Sequence, residues 1–110
     1  MKIDLGKNEL IHFVGIGGIG MSGLALIMNG LGYKVQGSDI SNNRNIERLR
    51  KKKIKIFINH KKDNLKKTTM LVISSAIKKN NPEVSEAINK DLPIYTRGDM
   101  LGHIVSFMRN

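Results

Sequence analysis

The sequence contains no cysteine, and this absence excludes several kinds of chemistry. Without cysteine there is no disulfide framework, no thiolate zinc site and no cysteine nucleophile. Histidine is also scarce, and its three copies (His12, His60 and His103) are too far apart in sequence to show the spacing of a metal site. We therefore expect a cytoplasmic protein with no metal site in this chain.

Proline occurs only twice in 110 residues, and the rest of the composition is typical of a folded protein rather than of a disordered tail. Hydrophobic residues make up 40% of the chain and charged residues 25%. A chain of this length buries roughly two thirds of its unfolded surface around one core. No linker or low-complexity block divides the sequence, so we expect a single domain over residues 1–110.

Acidic residues are few, with nine against 19 basic residues, and the formal net charge of +10 raises the question of a nucleic-acid partner. Most of the cations are lysine, and isoleucine and asparagine are also abundant. This is the bias that an A- and T-rich genome imposes on any solvated surface. The lysine runs have no aromatic side chains among them to stack on bases. We therefore expect no specific nucleic-acid binding.

Formal charge is absent from residues 10–28, a stretch nominally long enough to span a bilayer. The stretch contains five glycines and a histidine, and it divides into a strand pattern followed by a helical pattern. No small-residue cleavage site follows it, so a secretory signal is also disfavoured. We expect no membrane partner.

Short apolar runs alternate with helical patterns along the chain. The runs of strand length are 10–14, 33–37, 54–58, 70–73 and 92–95. Polar residues at 41–43, the Asn81-Pro82-Glu83 sequence and the capping-box pattern of residues 96–99 predict the starts of later helices. Strands that alternate with helices form parallel sheets with right-handed crossovers. The predicted fold class is α/β, a Rossmann-like three-layer fold with a five-stranded parallel sheet.

The first strand runs into Gly15-Ile16-Gly17-Gly18-Ile19-Gly20, which satisfies the G-x-G-x-x-G pattern of dinucleotide-binding loops. Glycine supplies any positive φ that the turn demands, and it lets the backbone approach a diphosphate. The N–H groups that begin the following helix then face the anion. Asp39 lies 19 residues after Gly20, where its carboxylate can accept hydrogen bonds from a ribose diol. The pattern predicts a site for a nucleotide diphosphate.

Further polar residues are expected at the same edge of the sheet, where the strand order reverses. Ser74-Ser75-Ala76 follows the fourth strand, and its hydroxyls either bind a phosphate, a sugar or a base edge, or only cap a turn. His60 follows the third strand and either reaches the same rim or is simply solvated. Helix capping explains Asn81 and Glu83, with ligand binding as the alternative. Arg97, at a helix start, is a candidate anion contact.

The sequence shows no group that would carry out a reaction. It has no nucleophile with a base beside it, no paired carboxylates of defined spacing and no G-x-x-x-x-G-K-[ST] phosphate loop. We therefore assign no catalytic residue and expect a binding module for a nucleotide that carries a diphosphate. The same features are typical of an NAD-binding Rossmann module of an oxidoreductase, which is the alternative, and a basic RNA-binding domain is a third candidate.

Several stretches resemble the amino-terminal domain of the Mur ligase family, which acts in peptidoglycan synthesis. The most specific is the string IHFVGIGGIGMSG at residues 11–23, and Gly32-Tyr33 and Gly37-Ser38-Asp39 follow it. Later matches are found at residues 74–77, 81–83, 93, 97 and 100–101. The resemblance covers the chain from about residue 10 onward, and Gly98-Asp99 departs from the family's pattern.

The resemblance implies a domain that holds the UDP part of UDP-N-acetylmuramate. It implies a diphosphate site at Gly17, Gly18, Ile19 and Gly20, and a uridine side at Ser38, Asp39, His60, Ser74, Ser75 and Ala76. It further implies that the full-length protein joins L-alanine to this nucleotide with ATP and magnesium. The central ATPase domain and the C-terminal domain would then lie beyond Asn110, and this chain alone is expected to be inactive.

Overall fold

The computed structural model describes residues 3–108, which contain strands and helices in strict alternation. In chain order they are β1 Leu10–Val14, α1 Ile19–Gly30, β2 Lys34–Asp39, α2 Arg44–Lys51, β3 Lys55–Ile58, a short 3-10 helix Lys62–Leu65, β4 Met70–Ile73, α3 Pro82–Asn89, β5 Ile94–Thr96 and α4 Arg97–Met108. The predicted order of elements is confirmed. The 3-10 helix was not predicted, because its short sequence is flanked by lysines and contains a single apolar residue, the fully buried Leu65.

The five strands form one parallel sheet in the order β3-β2-β1-β4-β5. The chain moves outward from β1 to β3 and then crosses back to place β4 on the other side of β1. This reversal puts the ends of β1 and β4 side by side, with Val14 opposite Ile73. In doubly wound sheets a crevice opens at such a point. The predicted fold class is confirmed.

Helices pack on both faces of the sheet. On one face, α1 and α4 cover the main core, where Ile11, Phe13, Leu24, Met28 and Met100 are almost completely buried. On the other face, α3 covers a smaller cluster that consists of Val14, Leu65, Leu71 and Ala87. Because side chains alternate along a strand, His12 of β1 points to this second face, away from Phe13.

The predicted helix caps are present. Asn43 Oδ1 accepts a hydrogen bond from Ile46 N at 2.9 Å, and Asn81 Oδ1 accepts one from Glu83 N at 2.9 Å. At the start of α4, Thr96 and Asp99 form the reciprocal pair of a capping box. Each cap satisfies N–H groups that the first turn of a helix leaves without intrahelical partners.

The uncharged stretch of residues 10–28 divides between β1 and the first part of α1, as its pattern indicated. The longest helices, α1 and α4, have 12 residues each. Within residues 3–108, no helix is long and apolar enough to cross a membrane.

Candidate functional site

The candidate site is a cleft of about 560 Å³ at the carboxyl edge of the sheet, beside the point where the strand order reverses. The loops that follow β1, β2, β3 and β4 all contribute to its wall, because the carboxyl ends of parallel strands share one edge. Gly17, Asp39, His60, Ser74 and Asn81 are among the lining residues. This is the place where α/β sheets of this topology bind their ligands.

The glycine loop makes a tight turn as it leaves β1. Gly15 has a φ of 85°, and its N–H and that of Ile16 both donate hydrogen bonds to the carbonyl of Ser38, at 2.9 and 3.0 Å. The positive φ therefore falls on Gly15, whereas Gly18 has an ordinary φ of −65°. Our expectation of positive φ in this turn holds for the first glycine of the pattern and not for Gly18.

Asp39 holds the glycine loop against the end of β2. Its Oδ2 accepts a hydrogen bond from Gly17 N at 2.7 Å, and the carbonyl of Gly17 accepts one from Asn45 Nδ2 at 2.9 Å. A Cβ on Gly17 would lie 2.8 Å from Asp39 Oδ2 and 2.9 Å from Asn43 Nδ2, which explains why this position is glycine. Asp39 thus has a backbone partner in addition to the ribose contact that its position predicts.

The N terminus of α1 is open to an anion. Its N-cap is Gly18, no side chain caps it, and its first turn contains no acidic residue. The first backbone hydrogen bond of the helix runs from Ser22 N to Gly18 O at 2.8 Å, so the preceding N–H groups of the helix have no partner along its axis. Such N–H groups, together with the helix dipole, favour a negatively charged ligand.

Arg97 brings a positive charge to the same helix end. A Cβ on Gly20 would lie 2.9 Å from both Cδ and Nε of Arg97, so the arginine side chain lies directly over this glycine. A second cleft of about 430 Å³ opens here, and Ser75 contributes to its lining. The third glycine of the pattern therefore makes room for a cation from the start of α4, which strengthens the attraction for an anion.

Glu83 is fully buried behind the cleft wall. Its Oε1 accepts hydrogen bonds from His12 Nε2 at 2.8 Å and Ser38 Oγ at 2.5 Å. Its Oε2 accepts hydrogen bonds from Lys61 N at 3.1 Å and Asn64 Nδ2 at 2.6 Å. Burial raises the pKa of Glu83, but the interactions with His12 and the hydrogen bonds from Ser38 and Asn64 outweigh it and leave the pKa below its usual value. The carboxylate is therefore ionised at neutral pH.

Ser38 and His60 connect this buried carboxylate to the cleft. Ser38 is fully buried in β2, and its Oγ lies 2.8 Å from His60 Nδ1. His60 Nδ1 is also 3.6 Å from Glu83 Oε1. His60 lines the cleft, so it connects the buried Ser38 and Glu83 to the surface of the cleft.

Sequence reasoning missed His12, Gln36 and Asn64, which complete the buried cluster. His12 is fully buried, and Gln36 is its register partner on β2, with Gln36 Nε2 2.8 Å from His12 Nδ1. A histidine inside an otherwise apolar strand could have indicated a buried polar contact. Its partner Glu83 lies 71 residues further along the chain, so local sequence patterns do not identify it.

The structure brings most of the predicted site residues together. The main cleft is lined by Gly15, Gly17, Gly18, Asp39, His60, Ser74, Ala76 and Asn81. The second cleft adds Gly20, Ser75 and Arg97. Ser38 and Glu83 lie behind the wall, and Ile19 is 88% exposed at the first turn of α1. Within residues 3–108, no group of three or more histidine or acidic side chains could hold a metal ion.

Comparison with known proteins matches the chain to one family. The family model described as "Mur ligase family, catalytic domain" matches residues 10–109. The chain is 66% identical over 110 residues to UDP-N-acetylmuramate--L-alanine ligase of Pelagibacter ubique, an alignment that covers 100% of this chain and 24% of the relative.

Two solved structures with the same fold are ligases whose names both include UDP-N-acetylmuramate. One is the UDP-N-acetylmuramate-alanine ligase of Thermotoga maritima, at a TM-score of 0.84 and 38% identity over 87% of this chain and 22% of that chain. Another is the UDP-N-acetylmuramate:L-alanyl-gamma-D-glutamyl-meso-diaminopimelate ligase of Neisseria meningitides, at a TM-score of 0.81 and 28% identity over 86% of this chain and 30% of that chain.

These matches cover nearly all of this chain but only part of each relative. The chain spans 24% of the length of the curated relative from Pelagibacter ubique. Because the family match extends over residues 10–109, including the glycine loop and both clefts, the chain belongs to the Mur ligase family.

Proposed function

We propose that this chain is the UDP-N-acetylmuramate-binding domain of an ATP-dependent ligase that joins L-alanine to UDP-N-acetylmuramate in peptidoglycan synthesis. The observation that carries the proposal is the glycine loop, which lines the cleft at the edge of the sheet and leads into a helix, α1, whose N terminus has no side-chain cap. The names of the relatives supply the substrate and the reaction.

In this proposal the diphosphate of the nucleotide lies at the N terminus of α1. The N–H groups of the first turn of α1 donate hydrogen bonds to its oxygens, and Arg97 adds a positive charge beside Gly20. Asp39, His60 and the Ser74-Ser75-Ala76 turn then face the uridine. Asn81 lines the same cleft, although its side chain also caps α3.

The remaining substrates would bind elsewhere in the full-length protein. The sequence has no G-x-x-x-x-G-K-[ST] phosphate loop, which supports a site for ATP and its metal outside this chain. We propose that the ATPase domain and the C-terminal domain lie in the portion of the relatives that this chain does not span. The chain alone should then neither hydrolyse ATP nor ligate L-alanine.

Calorimetric titration tests the proposal by comparing UDP-N-acetylmuramate, NAD and single-stranded RNA on the same protein. We expect the UDP-sugar to bind and NAD to bind much more weakly. Any RNA binding should fade steeply between low and physiological salt, because lysines without stacking partners contact only phosphates. Preferential binding of NAD would contradict the proposal in favour of an oxidoreductase module, and sequence-selective RNA binding at physiological salt would contradict it in favour of an RNA-binding domain.

A further inference from the structure

The buried groups behind the cleft have a defined pattern of donors and acceptors. We call them the Glu83 cluster: Glu83, His12, Gln36, Ser38, His60 and Asn64. Within residues 3–108, no buried side-chain nitrogen or oxygen lacks a hydrogen-bond partner. In a fully paired cluster, each proton has one consistent position, and the tautomers of the two histidines follow from the geometry.

The amide of Gln36 determines the tautomer of His12. Gln36 Nε2 donates a hydrogen bond to the backbone carbonyl of Asn64 at 3.0 Å. A carbonyl oxygen only accepts, so the Gln36 amide must present its nitrogen, and not its oxygen, to Asn64. The same nitrogen lies 2.8 Å from His12 Nδ1, which must therefore accept. The proton of His12 is then on Nε2, which donates to Glu83 Oε1.

The carboxylate of Glu83 determines the tautomer of His60. Donors surround both of its oxygens, and an ionised carboxylate only accepts. The single hydroxyl proton of Ser38 is therefore directed to Glu83 Oε1. In its contact with His60, Ser38 Oγ can therefore only accept a hydrogen bond. His60 Nδ1 must carry the proton that it donates.

The other ring nitrogen of His60 is then the one that a ligand meets. Nε2 of His60 has no hydrogen-bond partner among the described residues. Since every buried side-chain nitrogen in residues 3–108 has a partner, this unpaired Nε2 is not buried and reaches solvent. His60 lines the main cleft. In the neutral imidazole with Nδ1 protonated, Nε2 is an acceptor.

We propose that Glu83, acting through Ser38, is a positioning residue that holds His60 in the Nδ1–H tautomer, so that His60 Nε2 accepts a hydrogen bond from an N–H or O–H donor of the bound nucleotide. The inference about the tautomer concerns the free protein, and the role toward a nucleotide rests on the function proposed above. A uracil ring and a ribose hydroxyl both offer such a donor, whereas the ring nitrogen at position 3 of cytosine is an acceptor.

The tautomer is measured directly by ¹⁵N NMR of the histidine rings, at about pH 8.5, about two units above the usual histidine pKa of about 6.5. The signals of His60 are assigned by their loss in His60→Gln. We expect a pyrrole-like shift for Nδ1 and a pyridine-like shift for Nε2. A protonated Nε2 in the parent protein would overturn the inference without any variant.

Two variants test the role of Glu83. In Glu83→Ala the hydroxyl proton of Ser38 is free to point to His60 Nδ1, and we expect the Nε2–H form to become the major one. Glu86→Ala is the matched control, because Glu86 lies on the same helix and pairs with Lys90 at the surface; it should leave the His60 spectrum unchanged. If folded Glu83→Ala keeps only the Nδ1–H form, Glu83 does not position His60.

The role of Nε2 is tested by adding UDP to the parent protein. We expect the Nε2 signal to move while Nδ1 stays protonated. The movement should be lost with CDP if the donor is the base, or with the 2′- or 3′-deoxy analogue if it is a ribose hydroxyl. Movement that persists with all of these analogues contradicts the acceptor role. Absence of any UDP binding contradicts the proposed function but leaves the tautomer measurement valid.

Discussion

At the scale of single residues, the glycines of the loop differ in what a side chain would meet. A Cβ would lie 2.8 Å from Asp39 Oδ2 at Gly17 and 2.9 Å from Arg97 Cδ at Gly20. At Gly18 the nearest atom would be Gly15 O at 3.6 Å, which is an ordinary contact. A side chain at Gly18 would therefore extend into space that belongs to the clefts rather than into the protein.

Gly18→Val should abolish binding of the UDP-sugar while the fold survives. The φ of −65° suits valine, so the backbone is not strained, but the side chain would occupy the position proposed for a diphosphate oxygen. Each charge-assisted bond is worth on the order of 1.5–3 kcal/mol, and losing two should weaken binding about a hundredfold or more. Calorimetric titration measures this, with circular dichroism to check folding.

The matched control is Gly23→Val, further along the same helix, where an added Cβ meets no atom within 4 Å. It should bind UDP-N-acetylmuramate like the parent protein. If folded Gly18→Val also binds like the parent, the diphosphate does not lie at the glycine loop.

Asp39 should affect binding less than Gly18 does, because the ribose contact proposed for it would be partly solvated and would compete with water. Asp39→Ala also removes the acceptor for Gly17 N, which should lower the free energy of unfolding by about 1–3 kcal/mol. Asp39→Asn keeps one oxygen that can accept from Gly17 N, but it places an amide N–H against Ile40 N, whose acceptor in the parent is Asp39 Oδ1 at 2.8 Å, so it should recover only part of this stability. Urea denaturation measures the free energy of unfolding of both variants, and an Asp39→Ala protein as stable as the parent would show that the backbone hydrogen bonds of Asp39 contribute nothing.

At the scale of elements, the site depends on where the helices begin. The N terminus of α1 has no side-chain cap, which leaves its N–H groups for a ligand, whereas α4 begins with a complete capping box. The capped helix carries Arg97 in its first turn, and Arg97 lies over Gly20 of the uncapped one. The rigid start of α4 therefore positions a cation beside the open end of α1.

Thr96→Ala should lower the free energy of unfolding by about 1 kcal/mol, since it removes the acceptor for Asp99 N. For a domain of this size that corresponds to a fall in Tm of roughly 4–8 °C. Thr96→Ser keeps the hydroxyl and should restore most of the loss. Thermal unfolding followed by circular dichroism measures both, and a Thr96→Ser protein as unstable as Thr96→Ala would assign the effect to packing of the methyl group instead.

At the scale of the whole molecule, the Glu83 cluster joins β1, β2, the segment after β3 and α3 across one face of the sheet. The folded-state pKa of Glu83 lies below its usual value, so the unfolded chain binds the proton more tightly. The stability that this carboxylate contributes is fully present above the unfolded pKa of about 4.3 and is lost as pH falls through the folded pKa.

Glu83→Gln should therefore flatten the dependence of stability on pH in the acidic range. The parent protein should lose stability as pH falls below about 4.3, and the variant should lose less over the same range. Urea denaturation at a series of pH values measures this, with Glu86→Gln as the matched substitution on the surface of the same helix. Parallel curves for the parent and Glu83→Gln would mean that Glu83 does not titrate differently on folding.

The sequence predicted the fold well because its signals are local. The glycine pattern follows a strand and opens a helix, and the caps at Asn43, Asn81 and Thr96 lie where the structure has them. Hydrophobic periodicity identified the elements and fixed their order along the chain. The parallel sheet then followed, since strands linked by helical crossovers have few arrangements.

By itself, the sequence determined the order of elements, the position of the glycine loop and the family resemblance. Only the tertiary structure decided what Glu83, His12 and Ser38 do, because their partners lie 19 to 71 residues away and no periodic pattern reports such contacts. It also decided that Asp39 binds the loop and that Arg97 lies over Gly20. The physical reason is that side-chain hydrogen bonds depend on angstrom-scale placement across strands, which packing of the whole chain sets.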